Sequence, residues 1–118
     1  MNLFITGDRQ EFCSESFYRR LHEGLAKLGI EFKDITRVIR TAYGGTELRA
    51  QEMAETYGIK LEQIPVPEGY GKMARFAATN QALTRADAVI VFDSKGECQY
   101  VDHSKRAAAA AEIPNVVV

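Results

Sequence analysis

The sequence predicts an α/β fold: a three-layer, doubly wound sandwich around a parallel sheet of roughly five strands, ordered 3-2-1-4-5. Two observations carry this. Short apolar runs alternate with longer amphipathic stretches along the whole chain, the pattern of strand–helix–strand units joined by right-handed crossovers. The first and fourth apolar runs, at residues 2–6 and 88–92, are the most hydrophobic, so they belong at the centre of the sheet, covered on both faces.

Asn2-Leu3-Phe4-Ile5-Thr6 reads as the first strand and enters the loop Gly7-Asp8-Arg9-Gln10. Ser14 or Ser16 is placed to cap a helix in which Phe17, Leu21, Leu25 and Leu28 share one face, and Gly29 ends it. A second strand falls within residues 35–39. After Tyr43-Gly44-Gly45, a helix is expected from about Thr46 to Tyr57, with Leu48, Met53 and Ala54 inward and Gly58 as its stop. Lys60 to Ile64 forms the third strand. Pro65, Pro67, Gly69 and Gly71 mark an exposed loop, and a helix over residues 72–85 follows. Ala88-Val89-Ile90-Val91-Phe92 is the fourth strand. The loop Asp93 to Cys98 leads to a last helix containing the run Ala107 to Ala111, with His103 at its start. Pro114 introduces the final strand, Asn115 to Val118.

Hydrophobic residues make up 46% and charged residues 26% of the 118, which fits one globular domain spanning residues 1–118 and excludes disorder as its main state. Lys and Arg number 15 and Asp and Glu 16, a net charge of −1. A protein that coats extended nucleic acid needs a surplus of cations, so that class is excluded, although a local basic pocket is not. No stretch is apolar and long enough to span a bilayer, and the N-terminus opens on a strand instead of a signal peptide. The expected location is therefore cytoplasmic, with no membrane partner. Cys13 and Cys98 stand far apart in no metal-type spacing. They read as reduced thiols, and with only His22 and His103 to join them no metal site is expected.

In a doubly wound sheet the binding crevice lies beyond the carboxyl ends of the strands, where the winding reverses. Three loops meet there: Thr6-Gly7-Asp8-Arg9, Tyr43-Gly44-Gly45-Thr46-Glu47 and Asp93-Ser94-Lys95-Gly96. Gly44 and Gly45 open a helix whose free N–H groups and positive dipole end favour phosphate, and Thr46 offers a hydroxyl to the same anion. Arg9 and Lys95 bring positive charge from opposite sides. Neither a Walker motif nor a GxGxxG is present, so a P-loop ATPase or an ordinary dinucleotide dehydrogenase is not supported. Tyr43 is placed to stack on a base, Tyr70 to cover a ligand, and Glu97 to act as a general base. Against each stands a plainer role in loop packing or solvation.

Four anchors, spread over nearly the whole chain, make the sequence resemble the SLOG superfamily, in particular its small stand-alone YspA-type members. Thr6-Gly7-Asp8-Arg9 resembles the family's T-G-S-R after the first strand. Gly45-Thr46-Glu47, continuing to Ala50, Met53-Ala54 and Gly58, resembles G-A-D and its helix. Asn80 matches the asparagine of the R-N pair. Ala110-Ala111-Glu112-Ile113-Pro114 is similar to A-x-G-I-P before the last strand. The resemblance implies a Rossmann-like, nucleotide-binding fold, related to the phosphoribohydrolases, with Glu47 toward a ribose hydroxyl and Asn80 toward the nucleotide.

Departures bear on function. The arginine of the family's G-G-A-R-G-A-D is absent, and Tyr43 is new. The arginine of R-N is Thr79 here, while Arg75 sits one helical turn earlier and can reach the same place. The hydrolase signature P-G-G-x-G-T-x-x-E is replaced by Asp93-Ser94-Lys95-Gly96-Glu97-Cys98-Gln99-Tyr100-Val101. The resemblance therefore implies a module that binds a small nucleotide or an ADP-ribose-type, NAD-derived molecule. It would act as a sensor or by sequestration, for example as a phage-type defence inhibitor, and need no cofactor. The alternatives are a hydrolase or ribosyl transferase at an N-glycosidic bond, with Glu47 or Glu97 catalytic, and a scaffold with a decayed pocket. A homo-oligomer, dimer or higher, is expected, with Met73, Phe76 and Ala77 as its candidate surface.

Overall fold

Strand β1 (Asn2–Gly7) lies at the centre of a five-stranded, all-parallel sheet. A computed structural model of the chain describes residues 1–7, 13–42, 45–93 and 99–118. After β1 come α1 (Ser14–Leu28), β2 (Arg37–Arg40), α2 (Thr46–Tyr57), β3 (Lys60–Gln63), α3 (Ala74–Leu83), β4 (Ala88–Phe92), α4 (Gln99–Ala110) and β5 (Asn115–Val117). The strand order is β3-β2-β1-β4-β5, as the hydrophobic ranking of the strands predicts. Leu3 pairs with Val38 on one side and with Ala88 on the other. The register with β4 continues to Gly7 opposite Phe92. All strands run the same way, so the carboxyl ends of β1, β2 and β4 share one edge.

Side-chain alternation along the strands fills the two faces separately. Leu3, Ile5, Val38, Ile90 and Phe92 pack against Phe17, Leu21 and Leu25 of α1 and Ala50, Met53 and Ala54 of α2. Phe4, Ile39, Val89 and Val91 point the other way, onto Ala78, Ala82 and Leu83 of α3 and Val101 and Ala108 of α4. Phe17 stacks on Phe92 with ring centroids 5.1 Å apart. Burying one such side chain stabilises the fold by about 1.5–3 kcal/mol. The winding reverses between β1 and β4, because the helices before β3 cover one face and those after it cover the other.

The helix ends follow the sequence closely. Gly29 and Gly58 sit at the carboxyl ends of α1 and α2 with φ of 70° and 66°, left-handed positions where glycine carries no Cβ penalty.

Several expectations are corrected. Neither Ser14 nor Ser16 caps α1: Cys13 holds the capping position through its carbonyl, which accepts from the Phe17 N–H at 2.9 Å, and Ser14 is the first helical residue. Leu48 does not face inward but is 41% exposed, because the buried face of α2 is made by Thr46, Glu47, Ala50, Met53 and Ala54. Lys72 belongs to a 3-10 turn at Gly71–Met73, ahead of α3. His103 lies in the second turn of α4 instead of at its start. Among the described residues, no helix is long and apolar enough to cross a membrane.

Candidate functional site

At the carboxyl end of β1, residues of α2, α3, α4 and β4 meet around Thr6 and Gly7. Gly7 makes that meeting possible. A Cβ added there would stand 2.6 Å from the Phe92 carbonyl oxygen, 2.8 Å from Phe92 Cβ and 2.9 Å from Thr46 Oγ1. Only glycine leaves room for strand and helix to come together so closely.

From the α2 side, Gly45 takes the capping position with φ 71° and ψ −121°, a conformation open to glycine and to little else. It delivers Thr46 and Glu47 as the first two helical residues, and both are 0% exposed. Thr46 Oγ1, the atom facing Gly7, is buried and has no hydrogen-bond partner among the described residues. An unpaired buried hydroxyl costs about 1–3 kcal/mol, and this one stands at the positive end of a helix dipole.

Glu47 is held differently. Its Oε1 accepts the backbone N–H of Thr41 at 2.9 Å, and the Thr41 hydroxyl lies 2.6 Å from both carboxylate oxygens. Arg40 completes the clamp: its Nε donates to the Thr41 carbonyl at 2.7 Å and its Nη1 to Gln51 at 2.6 Å. Burial raises the Glu47 carboxyl above its ordinary value. The Thr41 hydrogen bonds and the charges of Arg75 and Arg40 oppose that rise without cancelling it.

From the other face, Arg75 in the first turn of α3 donates through Nη2 to the Gly7 carbonyl. Its guanidinium carbon lies 3.4 Å from the centre of the Tyr100 ring. The Tyr100 hydroxyl in turn lies between Thr6 Oγ1, at 2.6 Å, and Thr79 Oγ1, at 2.7 Å. Burial, and then the negative charge of Glu47, pushes the Tyr100 phenol above its usual range, so it stays protonated.

The structure thus brings together Thr6, Gly7, Gly45, Thr46, Glu47 and Arg75. Asp93 closes β4 at the same edge, its N–H donating to the Val118 carbonyl and its carbonyl accepting from Arg20. Asn80 is not in this group. It is exposed on α3 and lines a groove with Leu83, Thr84, Ala107, Ala110 and Ala111, toward the amino ends of the strands, where the Arg85 carbonyl accepts from Asn2. Tyr70 is exposed. Asp8, Arg9, Tyr43, Gly44, Ser94, Lys95, Gly96, Glu97 and Cys98 lie outside the described residues. Cys13 is an exposed free thiol, and no group of three or more His, Cys, Asp or Glu residues is placed to hold a metal ion among the described residues.

Sequence reasoning missed Thr41, Thr79 and Tyr100. One signal for Tyr100 was available: residues 100, 104 and 108 fall one turn apart, and all three are buried, which marks the inner face of α4. No protein-family model matches the chain, and no curated protein matches it.

Proposed function

We propose that the chain is a binding module for a small phosphorylated nucleotide of the adenine or ADP-ribose type, which it sequesters or presents without hydrolysing it. The observation that carries this reading is the Thr46 hydroxyl, buried at the amino end of α2, facing Gly7 and without a partner among the described residues. A phosphate oxygen is the acceptor that such a hydroxyl and a helix N-terminus favour together. Arg75, on the opposite side of Gly7, adds positive charge. The resemblance to SLOG proteins supports a nucleotide as the bearer of that phosphate, with Arg9 and Lys95 as further contacts and Tyr43 against the base. Binding is favoured over hydrolysis because both Glu47 oxygens are engaged by Thr41, which leaves the carboxylate poorly placed as a base or nucleophile.

The test is calorimetric titration of AMP, ADP, ADP-ribose and NAD into the wild type and Thr46→Val, with chromatography of the nucleotides after hours at stoichiometric protein. Unchanged nucleotide is expected, bound by the wild type and at least about tenfold more weakly by Thr46→Val, the scale of one charge-assisted hydrogen bond. Free base that disappears with Glu47→Gln or Glu97→Gln would replace this reading with an N-glycosidic hydrolase. No binding of any of the four would leave a scaffold. Native mass spectrometry of the same samples tests the accompanying proposal that the chain forms a dimer or larger assembly.

A further inference from the structure

One side chain, Tyr100, ties the first turns of α3 and α4 to the end of β1. The direction of its hydrogen bonds follows from counting protons. A threonine hydroxyl has a single proton, and that of Thr79 goes to the Arg75 carbonyl at 3.0 Å, a group that can only accept. Thr79 therefore accepts from Tyr100 at 2.7 Å. With its one proton committed, Tyr100 accepts from Thr6 at 2.6 Å. The result is a one-way chain from Thr6 through Tyr100 and Thr79 to the backbone of Arg75, and bonds aligned in this way polarise and strengthen one another.

The Arg75 side chain closes the circuit. Its guanidinium carbon stands 3.4 Å from the centre of the Tyr100 ring, where the negative face of the π system attracts a cation, and Nη2 reaches the Gly7 carbonyl. Tyr100 thus holds Arg75 twice, through the Thr79 hydroxyl to its backbone and through the ring to its guanidinium. Phe76 also lies beside the Tyr100 ring, at 6.1 Å between centroids. The geometry points to Tyr100 as the positioning residue of the Arg75 guanidinium, fixing it at the carboxyl end of β1 before any ligand arrives. That the fixed cation then serves a phosphate rests on the nucleotide-binding reading; its pose does not.

The experiment has two arms. In the first, ADP-ribose is titrated into wild type, Arg75→Ala, Tyr100→Leu and the double variant, each with a thermal melt as a folding control. Arg75→Ala is expected to weaken binding about tenfold or more, the scale of a charge-assisted contact. Tyr100→Leu should weaken it to within about threefold of that, and the double variant should bind no more weakly than Arg75→Ala, because both remove one interaction. In the second arm, proton NMR of the ligand-free protein should show the Arg75 Nε–H shifted upfield by the ring, retained in Tyr100→Phe and lost in Tyr100→Leu.

Wild-type affinity in Tyr100→Leu beside a weakened Arg75→Ala overturns the proposal. So does a double-variant loss equal to the product of the single losses, or an unshifted Nε–H in the wild type. Should Tyr100→Leu fail to fold, Tyr100→Phe decides: a retained shift supports the hold of the ring on Arg75, and its loss overturns it. If the wild type binds no nucleotide, the binding reading fails, and the NMR arm still decides the role of Tyr100.

Discussion

The Thr41 hydroxyl sits 2.6 Å from each carboxylate oxygen of Glu47, and the Thr41 N–H adds a third contact at 2.9 Å. One residue of the loop after β2 is thereby locked to the first turn of α2. Replacing Thr41 with valine keeps the shape and removes the hydroxyl, so the buried carboxylate loses a donor that faces both of its oxygens. The expected cost is about 1–3 kcal/mol, the scale of a hydrogen bond to a charged group. Urea denaturation of Thr41→Val at pH 7 measures it, and an unchanged midpoint would show the hydroxyl to be dispensable.

Glu47 also sets a pH dependence. Burial lifts its folded-state pKa above the ordinary 4.5 despite the Thr41 bonds, so the folded chain binds this proton more tightly than the unfolded chain does. Its contribution to stability is full below the unfolded value and is lost as pH rises through the folded value. The urea midpoint should therefore fall as pH rises upward from 4.5, and Glu47→Gln should flatten that slope. Thr41→Val, which removes a bond that lowers the pKa, should extend the window to higher pH.

His103 gives the opposite sign. Burial, and then the charge of Arg106, lower its pKa from 6.5, with a hydrogen bond to the Phe76 backbone acting against them. The ring meets Phe76 edge-on at 4.6 Å. A depressed folded pKa contributes stability that is present above the unfolded value and lost as pH falls through the folded one. Melting temperatures followed downward from pH 7.5 should drop for the wild type and drop less for His103→Gln. Equal slopes would separate His103 from the acid response.

The turn between α4 and β5 carries backbone strain. Glu112 has φ 58°, the one positive value outside glycine among the described residues, and the Ile113 N–H beyond it closes on the Ala108 carbonyl at 3.0 Å. A left-handed conformation costs an L-residue roughly 1–2 kcal/mol, partly offset by the flexibility a glycine brings to the unfolded chain. Glu112→Gly should raise stability by about 0.5–1 kcal/mol, read as a higher melting temperature.

The order of the strands was legible because β1 and β4 are apolar on both faces, and only a central place buries both. The edge where the β1 and β2 loops end was legible as well, since glycines after strands and at helix starts mark it, and Arg75 lies in the turn of α3 that reaches Gly7. The inward turn of Glu47 in place of Leu48 was not. Residue type argues for leucine inside, but the helical spacing through Ala50 and Ala54 puts position 47 on the buried face, and the carboxylate is tolerated there because Thr41 and Arg40 come from another element. Tyr100 and Thr79 were hidden for the same reason: each looks like a surface polar residue until separate elements bring their hydroxyls, with that of Thr6, within hydrogen-bond reach.

The division of the helices between the two faces has a consequence during synthesis. A nascent chain that has emerged through β3 holds three strands and two helices, α1 and α2, both on the same side of the sheet. Phe4 and Ile39 on the opposite side wait for α3 and α4, and β1 waits for β4 to occupy its free edge. Until then the half-made sheet offers an apolar face and the open edge of β1 to whatever is nearby. The ribosome-bound intermediate, more than the finished molecule, is thus the form of this protein most exposed to aggregation and to capture by chaperones.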